Sequence, residues 1–135
     1  MNDKELKQGV NNVMFELMKT TGVIAPVDVL MRTGVLSKTD YENWRQGKVD
    51  YLERVCMVNL QKLSTLMREM RVFAQKNGLK PSWTCYHGWA KNKSAKLRFS
   101  KSGDENIERG YATHYISQQT LDALKTAKDS ENKDN

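Results

Sequence analysis

The sequence contains no run approaching the roughly 18 consecutive apolar residues that a membrane helix needs, so we expect no membrane partner. Its first ten residues, MNDKELKQGV, are too polar and charged to form the apolar centre of a signal peptide. Two cysteines, Cys56 and Cys85, are too few for a disulfide framework. We therefore expect a cytoplasmic protein with reduced thiols.

Metal-binding and cofactor-binding motifs are also missing. The chain has no glycine-rich phosphate loop, no G-x-S-x-G turn and no H-E-x-x-H pair. The nearest approach to a metal cluster is Cys85-Tyr86-His87, with His114 far along the chain. Zinc sites need three or four ligands, commonly in close pairs. We therefore expect no metal and no cofactor.

One catalytic grouping is conceivable, formed by Arg98, Glu108 and His114. If the three side chains converge, they could perform general acid–base chemistry on a phosphodiester. Solvated side chains on a hairpin would give the same pattern. We therefore predict that the protein is not an enzyme, with nuclease-like chemistry as a lesser alternative.

Acidic residues are absent from Leu79 to Gly103, which we call the basic stretch. It contains six lysine and arginine residues, interleaved with aromatic residues, in a chain of net charge +6. Such cations can bind phosphates, and the rings can stack on bases. The predicted nucleic-acid contacts are Trp89, Lys91, Lys93, Lys96, Arg98, Phe99 and Lys101. The alternative is a charged loop beside two core tryptophans.

Apolar periodicity predicts a mainly helical fold. Helices are predicted over residues 3–20, from Pro26 to Gly34, from Ser37 to about Gln46, and over 50–77. The helix over 50–77 would be the long central element, because its apolar face continues for about seven turns. Its methionine-rich face offers an alternative function, a protein-interaction module or homodimer.

The C-terminal part has a different pattern. After a short helix capped by Ser82, residues 96–100 alternate polar and apolar, and residues 110–116 are rich in aromatic and β-branched side chains. These runs predict a β-hairpin over about 95–116, followed by a short final helix over 118–128. We thus expect one α+β domain over residues 1–128, with 129–135 as a disordered tail.

The segment from Val29 to Leu52, VLMRTGVLSKTDYENWRQGKVDYL, resembles the helix-turn-helix of phage-repressor-type regulators. In that family the second helix enters the major groove of DNA. The resemblance implies base-facing residues Lys38, Thr39 and Glu42, and phosphate-binding residues Arg45 and Lys48.

Two features depart from that pattern. The turn after Gly34 is one residue longer than usual, and Asp40 and Glu42 would place negative charge near phosphates. The alternative, which these departures favour, is two short helices packed on a longer one without a role in DNA binding. The motifs WRQGKVDYLERV and LRFSKSGDENIERGYATHYIS also resemble a small bacterial protein family of unknown function, which implies a compact cytoplasmic domain.

Together these features predict a small cytoplasmic nucleic-acid-binding protein, with DNA favoured over RNA as the partner. A helix-turn-helix-like regulator is the more specific form of that prediction.

Overall fold

A computed structural model describes residues 2–89 and 96–133. Along the chain these form α1 (Asp3–Thr20), β1 (Val23–Ile24), α2 (Pro26–Arg32), α3 (Lys38–Arg45), a 3₁₀ turn (Leu52–Val55), α4 (Leu60–Lys76), β2 (Lys80–Trp83), α5 (Glu105–Ala112), β3 (Thr113–Ile116) and α6 (Gln118–Lys133). The structure is thus mainly helical with a small antiparallel sheet. Within the described ranges, each helix is too short or too polar to cross a membrane.

The largest helix–helix contact is between α1 and α4. Asn2 caps α1 by accepting a hydrogen bond from the Glu5 backbone N–H at 2.8 Å. The buried face of α1 consists of Leu6, Val10, Met14 and Leu17, at the spacing of one helical stripe. The boundaries predicted for this first helix are therefore confirmed.

The predicted helix over 50–77 is wrong, because the chain breaks into the 3₁₀ turn and the shorter α4. Asn59 begins α4, since its side chain accepts a hydrogen bond from the Lys62 backbone N–H at 2.9 Å. Before this cap, the Met57 N–H bonds to the Val35 carbonyl at 2.8 Å. The backbone from Leu52 to Met57 is thus used in the 3₁₀ turn and in tertiary contacts rather than in an α-helix.

The methionine-rich face of α4 points into the protein. Met67 and Met70 are both buried in the core, so this face does not offer the dimer surface that the sequence suggested.

The predicted hairpin is also wrong, although one of its strands exists. β3 lies between β1 and β2 and is antiparallel to both, with Ile116 opposite Val23 and Lys80. Its sheet partners therefore come from distant parts of the sequence. β2 in turn occupies residues from which a short helix was expected to begin.

The segment before β3 is the helix α5 rather than a hairpin loop. Asp104 caps α5 by accepting hydrogen bonds from the N–H groups of Asn106 and Ile107 at 3.0 and 3.1 Å. Tyr111 and Ala112 are buried on its inner side. Residues 110–112, which were predicted to begin a strand, thus belong to the end of a capped helix.

The final helix packs closely where it begins. Gly22 has a φ of +70°, and a Cβ there would lie 1.9 Å from the Thr120 hydroxyl oxygen. Only glycine suits both constraints. The helix reaches Lys133, beyond the predicted end at residue 128, and residues 134–135 lie outside the described residues.

We expect Asn59→Ala to lower the free energy of unfolding by about 1 kcal/mol, because it removes the cap of α4. Chemical denaturation followed by circular dichroism measures this. The matched control is Asn12→Ala, an exposed position inside α1. An unchanged stability of Asn59→Ala would contradict the role of this cap.

Candidate nucleic-acid interface

A buried aromatic cluster supports the basic stretch. The Trp44 ring lies 5.0 Å from the Phe99 ring and 5.9 Å from the Tyr86 ring. Its indole N–H donates to the Arg98 carbonyl at 2.7 Å. On its other side, Phe99 stacks on Tyr111 with centroids 5.4 Å apart. Phe99 is only 2% exposed, so its predicted stacking on bases is wrong.

Two carboxylates fix the turn from Arg98 to Gly103. Glu108 accepts hydrogen bonds from the Phe99 and Ser100 backbone N–H groups at 2.9 and 2.6 Å. Glu53 accepts from the Lys101 N–H at 3.0 Å and from the Tyr111 hydroxyl at 2.8 Å. Both carboxylates are therefore occupied in holding backbone and core groups.

Arg98 folds its side chain back onto this turn. Its Nε donates to the Ser100 carbonyl at 2.8 Å, and Nη2 donates to the Lys101 carbonyl. The guanidinium also lies 5.7 Å from the centre of the Tyr51 ring. Arg98 therefore stabilises the turn with donors that the sequence assigned to phosphates.

The proposed catalytic side chains have separate partners. Arg98 binds carbonyl groups and Glu108 binds N–H groups of the turn, whereas His114 Nε2 lies 2.8 Å from the Tyr86 hydroxyl. Within the described parts of the chain, no hydrogen bond or ion pair joins one of these three side chains to another. This geometry gives the nuclease alternative no assembled site.

Burial keeps the Tyr86–His114 pair neutral. It lowers the pKa of His114 below its ordinary value. It also raises the pKa of Tyr86 to about 12, with Tyr41 adding to the rise and Arg45 opposing it. The pair thus joins β3 to the aromatic cluster without a charge.

Just before Trp89, residues 86–87 pair with residues 96–97. His87 forms an antiparallel bridge with Lys96, and the Leu97 N–H donates to the Tyr86 carbonyl at 2.8 Å. Trp89 itself is 48% exposed. Lys91 and Lys93, two of the predicted phosphate contacts, lie outside the described residues.

Arg45 holds Trp89 in place. Its guanidinium lies 5.1 Å from the centres of both the Trp89 and Tyr86 rings. The Arg45 carbonyl accepts a hydrogen bond from the Trp89 backbone N–H at 2.7 Å. Arg45 Nε and Nη1 are buried without a hydrogen-bond partner in the part of the chain described. These two nitrogens of the predicted phosphate contact therefore face protein rings rather than solvent.

Trp83 is the aromatic residue that sequence reasoning left out of the site. It is 49% exposed on β2, one of the two edge strands of the sheet, with the Lys96 ammonium 5.5 Å from its ring centre. Lys80 is exposed at the other end of this strand. Pro81 was a usable signal, because proline within sheets is confined mostly to edge strands.

The cations of this surface are mostly free of ion pairs. The ion pairs within residues 2–89 and 96–133 join Arg32 to Asp28 and Arg54 to Asp50. Lys80 and Lys96 of this surface therefore keep their positive charge unpaired in that part of the chain, as does Lys101, which lines a separate groove between α4 and α5. A cavity of about 200 Å³ beside Trp83 and Lys96 also includes Glu105 and Glu108, so the positive surface has an acidic border on α5.

The residues implied by the helix-turn-helix resemblance lie on and after α3. Ser37 caps this helix by accepting from the Asp40 N–H at 3.0 Å. Lys38 and Thr39 are exposed in its first turn, and Lys48 is exposed beyond its end. Lys38 is about 10 Å along the helix axis from Arg45. The site thus divides between the start of α3 and the surface around Trp83 and Trp89.

Comparisons with protein-family models, curated proteins and solved structures find no match to this chain.

We expect Glu108→Gln to lower the free energy of unfolding by about 1–3 kcal/mol, because an amide NH₂ would replace one of the oxygens facing backbone donors. Thermal and urea denaturation measure this. Glu105→Gln is the matched control, since Glu105 is exposed on the same helix. Equal stability losses for the two variants would contradict the role given to Glu108.

We also expect stability to depend on the protonation of His114. Because burial lowers its pKa from 6.5, the unfolded chain binds the proton more readily than the folded chain. The free energy of unfolding should therefore fall as the pH is lowered from about 7 toward 5. This loss should be smaller in His114→Gln and should persist in His87→Gln, which changes the other histidine. Parallel pH profiles for wild type and His114→Gln would disprove the assignment.

Proposed function

We propose that this protein binds nucleic acid, with single-stranded DNA as the preferred form. The observation that supports this most is the pair of half-exposed tryptophans, Trp83 and Trp89, each with a cation beside its ring. Proteins that bind single strands combine a positively charged surface with aromatic rings on which bases stack. Single strands suit this arrangement because their bases are free to stack on protein rings.

Charge supports the same proposal. Lys96 lies beside the Trp83 ring and Lys80 lies at the other end of β2, and neither forms an ion pair among the described residues. Lys91 and Lys93 add positive charge in the intervening sequence, where no acid occurs. A group of unpaired cations is the feature that neutralises several phosphates together.

The support beneath the tryptophans also favours binding. Trp89 is held by the Arg45 carbonyl and guanidinium, and its ring meets Tyr41 edge-on with centroids 6.1 Å apart. Trp83 is held in a paired strand. Side chains that are already ordered lose less entropy when a ligand binds.

Duplex recognition by α3 is the second candidate. It is favoured by the exposure of Lys38 and Thr39 in the first turn of a capped helix, the part of a recognition helix that touches base edges. In this case Lys38→Ala and Thr39→Ala would change the preferred duplex sequence. Under the first proposal they would leave single-strand affinity unchanged.

We expect Trp83→Ala to weaken binding of a fluorescein-labelled 20-nucleotide oligothymidylate by about 5- to 150-fold, the equivalent of one lost stacking contact. Lys80→Ala and Lys96→Ala should each reduce the slope of log affinity against log salt concentration by about 0.7. Fluorescence anisotropy at several salt concentrations measures both effects.

The chain supplies a closely matched control. Phe15 on α1 is 53% exposed and has the Lys19 ammonium 5.4 Å from its ring centre, much like Trp83 with Lys96. Phe15→Ala and Lys19→Ala should leave affinity within about twofold of wild type. Absence of binding at low salt, or equal losses at the two aromatic–cation pairs, would refute the proposed surface.

A further inference from the structure

A groove lies between α4 and α5, separate from Trp83 and Trp89. It encloses about 710 Å³. Leu60, Ser64, Met67 and Arg71 line it along one side of α4 at spacings of four, three and four residues. This stripe is about 16 Å long, because an α-helix rises 1.5 Å per residue.

The walls of this α4–α5 groove are apolar and open to solvent. Two of the lining residues are exposed apolar side chains: Leu60 on α4 is 56% exposed, and Ile107 on α5 is 45% exposed. Gly110 also lines the groove, and a Cβ built on it would meet no atom within 4 Å. The groove is thus open at the position of this glycine, and a side chain there would enter free space.

The charged side chains that line the groove, Arg71, Lys101 and Glu53, give it a net positive charge. Arg71 and Lys101 line it and are exposed. Neither belongs to the two ion pairs found among the described residues. Glu53 adds one negative charge, but its two oxygens accept hydrogen bonds from the Lys101 backbone N–H and the Tyr111 hydroxyl, so neither is paired with a cation of the groove. An occupant with a negative end would therefore meet two free cations.

We propose that this groove binds an anionic amphiphile, a small molecule with an apolar chain and one carboxylate. The apolar chain would lie against Leu60, Met67 and Ile107, and the carboxylate would approach Arg71 and Lys101. Sites for small molecules commonly measure about 300–1,000 Å³ and combine apolar walls with a few polar groups. The volume, the exposed apolar walls and the unpaired cations all fit this class.

Dodecanoate, below its micelle-forming concentration, is the probe, and isothermal titration calorimetry measures its affinity. We expect wild-type protein to bind dodecanoate at least tenfold more tightly than dodecanol, because only the carboxylate can pair with Arg71 and Lys101. Arg71→Gln and Lys101→Gln should each remove most of that preference while leaving the affinity for dodecanol unchanged.

Gly110→Phe should fill the groove and weaken dodecanoate binding at least tenfold. Gly110→Ala is its control, since a methyl group at this position occupies little of the space. Circular dichroism melting identifies any unfolded variant. If Gly110→Phe is unfolded, the preference of Arg71→Gln for dodecanoate over dodecanol tests the proposal independently. Trp83→Ala should not alter dodecanoate binding, so this proposal and the nucleic-acid proposal fail separately.

Three results would overturn the proposal. Equal wild-type affinity for dodecanoate and dodecanol would show that the anion is not recognised. Undiminished binding by a folded Gly110→Phe variant would place the ligand elsewhere. Binding of an acidic amphipathic model peptide, without binding of dodecanoate, would assign the groove to a helical protein partner instead.

Discussion

The hydrogen bond from the Trp44 indole to the Arg98 carbonyl is the contact on which the rest of the surface depends. Trp44 is fully buried, and the same carbonyl also accepts the Leu52 N–H at 3.2 Å. One carbonyl oxygen thus joins α3, the 3₁₀ turn and the start of the Arg98–Gly103 turn. Because a buried carbonyl without a partner is costly, these three segments are fixed relative to one another.

This anchor separates supporting residues from those that can meet a ligand. Phe99 is buried in the aromatic cluster, and Arg98, although exposed, donates its hydrogen bonds to carbonyl groups of the turn. Arg45 is used behind Trp89. Trp83 and Lys80 remain at the surface on β2, which pairs with β3, and Lys96 remains at the surface beside the Trp83 ring. The fold thus presents fewer of the basic and aromatic residues than the sequence contains, but holds them in defined positions.

The sequence predicted elements that depend on local interactions. Helix α1 and the Ser37 cap of α3 could be read correctly, because capping and apolar spacing act within a few residues. The break before α4 was missed, although Asn59 is a good capping residue, because the apolar pattern continues through Leu52 and Val55. Those two residues pack against the core, but they belong to the 3₁₀ turn and not to α4.

Contacts between distant segments could not be predicted in the same way. The pairing of β3 with β1 and β2 joins residues 113–116 to residues 23–24 and 80–83, and no local turn specifies it. Side-chain contacts at the candidate site also join distant segments, so local sequence did not predict them. The sequence predicted that Phe99 stacks on bases, but its ring is buried against Trp44 and Tyr111, which come from α3 and α5. The groove between α4 and α5 likewise arises only when two distant helices meet.

Tryptophan fluorescence during titration with unlabelled single-stranded DNA tests the central claim most directly. The chain has three tryptophans, of which Trp44 is buried and Trp83 and Trp89 are half exposed. If bases stack on the exposed pair, saturating DNA at low salt will quench the emission that acrylamide can also quench, leaving the Trp44 emission. Unchanged emission at saturating DNA would contradict stacking on this surface.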